Sequence, residues 1–260
     1  MSQAIDQLGQ NQLAGFILVL ARVSPLFVLA PPFSSKMVPP RAKGIVAVAL
    51  AIGLAPVALH GQQVPGDLMQ IAGLALKEVL VGLGFAFALA CLFAAFSTAG
   101  SILDTTVGFS FGSLVDPITG NQSGQLVQVY SMVAIAVFIA IGGEAWVIQG
   151  LARTYELVPL LEMPSLQALV AGAVSEFAGI LTAALEVGAP VVLALVLTDV
   201  SFGVVSRVVP QLNVFAVGFP IKIVVGLLVV GVSLPFVGGW LSDQLQLSVE
   251  SALSSLQVSA

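Results

Sequence analysis

The sequence predicts an all-α membrane protein built from five to six long hydrophobic helices broken by proline and glycine. Three observations predict it. Hydrophobic residues make up 58% of the 260-residue chain and charged residues only 8%, with a mean hydropathy of +1.09. A soluble domain carries about 25% charged residues, so this chain cannot cover a water-facing surface. Its apolar runs approach or exceed the ~20 residues needed to cross a bilayer. The 14 prolines and 26 glycines fall within and between those runs, which predicts broken or bent helices.

The first span is expected over Leu13–Pro31, bent at Pro25 and ended by Pro31-Pro32. Arg22 lies inside it, where an ionisable residue faces other helices or reaches an interface. The N-terminal stretch has Asp6 and no Lys or Arg, the wrong start for a cleavable signal peptide. A short loop carries Lys36, Arg41 and Lys43 before a second, marginal span at Ile45–Leu59, broken by Gly53 and Pro56. After a turn at His60–Asp67, Leu68–Ala99 has helical character. At 1.5 Å per residue it is about 48 Å long, more than a ~30 Å hydrocarbon core requires. Lys77 and Glu78 lie in it. Adjacent helical residues point about 100° apart, so each is expected to pair with another helix rather than with its neighbour. Gly82-Leu-Gly84 permits close helix contact.

The central stretch, Gly100 to Gln125, is polar and glycine-rich and carries Asp104 and Asp116. Such a segment cannot face lipid with its backbone groups unpaired. It leaves the membrane, is buried in protein, or lines a water-filled path. Phe109 and Phe111, flanked by Gly108 and Gly112, point the same way if the run is extended. They suit a plug that fills a hole, or two rings tucked onto neighbours in an ordinary loop.

Leu126–Ile141 is the next helix, extending to about Leu151, and Ala152–Pro164 is a connection with Arg153, Glu156 and Glu162. Leu166–Leu197 is long and interrupted by Glu176, Glu186 and Pro190. A second polar break, Thr198–Asn213, holds Asp199 and Arg207. Val214–Leu241, with Lys222, is the last apolar run. The polar tail, 242–260, is amphipathic or disordered. In six alternating crossings, the loops bearing Lys36, Arg41, Lys43 and Arg207 share a side opposite Arg153. The positive-inside rule makes that side cytoplasmic, with both termini outside.

No P-loop or HExxH occurs, and His60 is the sole histidine, so ATP hydrolysis and His-based metal or triad chemistry have no residues to carry them. The residues point away from enzyme chemistry, and no cofactor is implied. A net charge of −5 without a basic run excludes nucleic acid as a partner. Cys91 stands alone, which excludes an internal disulfide. The in-segment charges Arg22, Lys77, Glu78, Glu176, Glu186 and Lys222 serve either as an ion relay or as pairs that orient helices.

The run from Arg207 to Lys222, RVVPQLNVFAVGFPIK, resembles the signature of the flagellar biosynthetic protein FliR family, with Pro210, Asn213, Phe215, Gly218, Pro220 and Lys222 at family spacing. The central stretch, with Gly108-Phe109-Ser110-Phe111 and Val115-Asp116-Pro117, agrees. So does the N-terminal part, with Arg22, Pro31, Phe33, Pro39 and Pro56. Ser101 and Glu144 depart from the family pattern, in which an acidic residue and a histidine are common. The resemblance spans about Leu13–Leu241.

The resemblance implies a core subunit of a type III protein export gate in the bacterial inner membrane, within the flagellar basal body. About 13–200 would be a FliP-like part and about 200–245 a FliQ-like part, in bent hairpins of a helical assembly. The implied partners are FliP and FliQ around a shared pore, with FlhB, FlhA and the basal-body ring nearby and unfolded proteins in transit. The resemblance makes the central loop the pore plug, with Phe109, Phe111, Gly108 and Gly112 as its gasket. Arg22, Lys77, Glu78, Asp104, Asp116 and Arg207 are expected to pair helices. The alternatives are a stand-alone solute or ion transporter using Lys77, Glu78 or Asp104 as coupling residues, and a scaffold that nucleates ring assembly.

Overall fold

The computed structural model describes residues 2–35, 38–62, 64–109, 124–211 and 213–256, and of residues 2–11, 214 and 215 the backbone alone. The described residues are helical, with no strand among them. They form α1 (Ser2–Leu29), α2 (Pro31–Ser34), α3 (Pro40–Ala58), α4 (Leu68–Val107), α5 (Gln125–Ala140), α6 (Gly143–Leu157), α7 (Leu166–Val208) and α8 (Val214–Ser254). Five are long and apolar enough to cross a membrane. The count is six if α5 and α6, bent by 74° at their junction, make one span.

The chain divides into two compact units. The first comprises Met1–Leu92, Gly142–Phe177 and Leu245–Ala260. Here α1 packs on α3, and α3 on α6. Leu18, Val19, Val23 and Leu26 of α1 are buried on one 3.6-residue stripe, with Arg22 in the middle of it. The buried face of α4 in this unit runs through Lys77, Glu78, Val81, Phe85 and Leu89. Val81, Val158, Leu169 and Leu256 form a further apolar cluster.

The second unit comprises Phe93–Ile141 and Ala178–Gln244. Its α5 buries Leu126, Tyr130, Ala134 and Phe138 at i, i+4, i+8 and i+12. α7 buries Ala184, Val187, Val191 and Leu195 there, and leaves Leu181, Leu193, Leu197 and Val204 exposed. Phe93 meets Phe138 edge-on at 5.6 Å, and Phe96 meets Trp240 at 5.7 Å.

Several boundaries differ from the sequence expectation, and most differ in one direction. Polar stretches expected as loops are helical. Gly100–Val107 continues α4, and Thr105 and Thr106 satisfy their hydroxyls inside it, donating to the Ser101 and Ile102 carbonyls at 3.0 and 2.7 Å. Thr198–Val208 continues α7 in the same way, with Thr198 and Ser201 bonding the Ala194 and Leu197 carbonyls at 2.7 and 2.8 Å. Arg41 and Lys43 fall within α3, which begins at Pro40, and Lys43 Nζ donates to the Ser34 carbonyl at 2.7 Å.

The tail expected from residue 242 belongs to α8 as far as Ser254, burying Leu245, Val249, Ala252 and Leu253. The helix expected to extend to Leu151 turns at Gly142. This residue adopts φ 69°, a left-handed conformation suited to glycine. α6 then runs on to Leu157.

Candidate functional site

Two groups of functional side chains stand out, one in each unit. In the second unit, the end of α4 meets the start of α5. The N-cap residue of α5 is Gly124, which has no side chain to satisfy the first amide groups. Asp104 of α4 does so instead. Its Oδ1 accepts from the Leu126 amide at 3.0 Å and its Oδ2 from the Val127 amide at 3.2 Å. These are the N2 and N3 amides that a local cap would serve, and a carboxylate there also complements the helix dipole. Asp104 is only 3% exposed.

Two glycines permit the joint. A Cβ on Gly100 would lie 2.6 Å from Val127 Cα, and one on Gly124 would collide with the Asp104 carboxylate. Gly108, with φ 102°, leads the chain out of α4. Phe109 follows and is half-buried. Phe111, Gly112 and Asp116 lie outside the described residues.

Lys222 of α8 stands near the same end of α4. Its Nζ lies 2.5 Å from Asp199 Oδ1 on α7 and 3.4 Å from the Thr106 carbonyl. Asn213 is the N-cap of α8, its Oδ1 accepting from the Ala216 amide at 3.2 Å. Pro210 is exposed in the turn between α7 and α8. Gly218 is buried close to Phe202, and Pro220 lies exposed within α8. Phe215 is described by its backbone only. Arg207 sits exposed in the last turn of α7, where a cation complements the helix C-terminus. Glu186 accepts from Trp240 Nε1 at 3.0 Å.

In the first unit, Arg22 is fully buried. Its Nε donates to Glu78 Oε2, its Nη1 to the Thr154 carbonyl at 2.9 Å and Oγ1 at 3.2 Å, and its Nη2 to the Val158 carbonyl at 2.8 Å. The guanidinium carbon lies 4.2 Å from the centre of the Tyr155 ring. Lys77 Nζ reaches the Leu160, Glu162 and Pro159 carbonyls at 2.8, 2.9 and 3.2 Å. The two cations therefore gather carbonyls from the last turn of α6 and the connection beyond it, where the Thr154 and Pro159 carbonyls also accept from the Val158 and Glu162 amides at 2.9 and 3.1 Å.

Lys77 Nζ also lies 2.7 Å from Glu78 Oε1. The sequence reading separated these two by the 100° step between them, but the long lysine stem closes that angle. Both side chains also reach other segments. Gly82 lies against the backbone of Arg22, where a Cβ would strike the Arg22 carbonyl oxygen. Thr154 and Tyr155 were not singled out from sequence. The usable signal was the spacing of Gly150, Leu151, Thr154 and Tyr155 on the buried stripe of α6.

Among the described residues, no group of three or more His, Cys, Asp or Glu side chains is placed to hold a metal ion.

The family model described as Bacterial export proteins, family 1, matches residues 13–248. The flagellar biosynthetic protein FliR of Bacillus subtilis (strain 168) is 32% identical over 230 residues, 85% of this chain and 87% of that protein. FliR of Escherichia coli (strain K12) is 30% identical over 223 residues, 84% of this chain and 83% of that protein. The Yop proteins translocation protein T of Yersinia pestis is 28% identical over 222 residues, 84% of this chain and 85% of that protein.

Proposed function

The chain belongs to the bacterial export proteins, family 1, and from that premise we propose that it is the FliR-like core subunit of a flagellar type III export gate. With FliP and FliQ it forms the pore that passes unfolded proteins across the inner membrane, near FlhA, FlhB and the basal-body ring. The observation that carries this reading is the family match over residues 13–248, with flagellar and Yop-translocation relatives each matched along most of their length.

On this reading the segment after Gly108 is the plug, and Phe109 and Phe111 seal the pore at rest. Support comes from the joint at Asp104, which brings the start of α5 back to the end of α4, so that the chain between them leaves and returns at one place. The geometry disfavours a stand-alone transporter. Lys77, Glu78 and Asp104, which such a transporter would use for coupling, are occupied by protein bonds. A carboxylate held between two fixed cations is poorly placed to release and rebind an ion.

The test is made on the tagged chain extracted gently from its host. FliP and FliQ copurify with it. In the reconstituted complex, Phe109→Ala with Phe111→Ala raises small-ion leak by an order of magnitude or more. Copurification with an unchanged leak removes the plug. A monomer or homodimer, with FliP and FliQ present in the cell, removes the gate.

A further inference from the structure

The middle of α7 carries a charge that the chain itself does not neutralise. Glu186 is the sole charged residue between Glu176 and Asp199, a stretch of about 22 residues and about 33 Å at 1.5 Å per residue. That length matches a ~30 Å hydrocarbon core, with Glu186 near its middle. The Glu186 side chain is exposed on the surface of the chain. Its Oε2 accepts from Trp240 Nε1 at 3.0 Å, and Phe96 meets the Trp240 indole edge-on. Its Oε1 has no partner among the described residues.

The cations on the long apolar helices are used elsewhere. Arg22 and Lys77 serve Glu78 and carbonyls of the first unit, and Lys222 serves Asp199. Among the described residues, no cation pairs with Glu186. Lipid satisfies an apolar helix face, but not an ionised carboxylate at this depth, which needs a cation or water. The surroundings of Glu186 suit a helix. Leu181, Leu185 and Leu193 are exposed around it. Gly179, Thr182 and Ala189 lie one or two turns away on the same face, exposed and small, so another helix can approach closely.

We propose that this face of α7 is a docking surface between subunits, and that its occupant is an apolar helix of another gate subunit bearing one lysine or arginine that pairs with Glu186. The occupant comes from the proposed gate, so the inference rests on that reading. Trp240 is a positioning residue. Its indole holds one carboxylate oxygen and leaves the other for the partner's cation.

The test uses the tagged full-length chain in its own host, extracted gently with the subunits that accompany it. Glu186→Gln keeps the size of the side chain and an oxygen for the Trp240 bond, and removes the charge. Glu186→Asp keeps the charge. Glu186→Lys sets like charges against each other. Each accompanying subunit is quantified against the tagged chain by mass spectrometry. Glu186→Gln lowers the recovery of one subunit about tenfold, and Glu186→Asp leaves it within about twofold. Glu186→Lys takes it below detection. Each lysine or arginine in the apolar spans of that subunit is then changed to glutamate in the Glu186→Lys background, and one such reversal restores most of the recovery.

Glu186→Gln with every subunit at the parental level overturns the proposal, since the face then meets lipid or water. Loss of a second copy of this chain, in place of another subunit, overturns it too. So does the failure of every reversal to restore recovery. Should Glu186→Lys not accumulate, Glu186→Gln against Glu186→Asp decides. A parental chain that comes out alone removes the gate reading itself, whereas a gate indifferent to Glu186→Gln removes the docking surface only.

Discussion

Arg22, Lys77 and Glu78 in the first unit, and Asp104, Asp199 and Lys222 in the second, are both sets of charges on apolar helices, and they are solvated differently. The first set is at most 3% exposed. It holds two cations and one anion, and the uncompensated positive charge faces the carbonyl end of α6, where the helix dipole is negative. Each cation is surrounded by acceptors from other segments. In the second set, only Asp104 is buried. The Lys222 side chain is 22% exposed and that of Asp199 48%.

A charge of the first kind cannot be released without leaving its partner stranded in a dry interior. A charge of the second kind exchanges its partner for water at little loss. The first unit is thus held in one packing. In the second, the Lys222–Asp199 pair can yield while the buried Asp104 cannot.

The widest break in this contrast comes from Arg22→Met. It takes from Glu78 one of its two cations and from the Val158 carbonyl its guanidinium donor, and is expected to destabilise by about 3–5 kcal/mol. The fall in thermal midpoint of the detergent extract measures it. Removing Glu78 as well, as Arg22→Met with Glu78→Met, recovers part of that loss.

Next in size is Gly82→Ala. The added methyl forces α4 away from the Arg22 backbone, at about 1–3 kcal/mol on the same assay. Lys222→Gln is expected to be smallest, below about 1 kcal/mol, because the pair it breaks is part-solvated. A loss from Lys222→Gln as large as that from Arg22→Met would erase the distinction between the two sets.

Much of the site was present in the sequence, though unevenly. The helical stripe through Leu18, Val19, Val23 and Leu26 already places Arg22 on the buried face. Asn213 just before the last apolar run is a readable N-cap. The readings that failed share a cause. Gly100–Val107 and Thr198–Val208 read as breaks because of their polar residues. Thr105, Thr106, Thr198 and Ser201 instead bond within their own helices, so polarity there does not stop the helix. The partnership of Asp104 with Leu126 and Val127 has no sequence signal, since a cap is sought beside its helix and this one lies 22 residues away.

The sequence by itself determined the class of molecule. A chain with 58% hydrophobic and 8% charged residues must surround itself with lipid or protein, and its long apolar runs must be helical to satisfy their backbone there. The tertiary structure alone decided which charges meet. Periodicity assigns a side chain to a face of its own helix. It does not say which carbonyl or carboxylate from a distant segment lies opposite, and for Arg22 and Lys222 that placement separates a locked core from a fastening that can be undone.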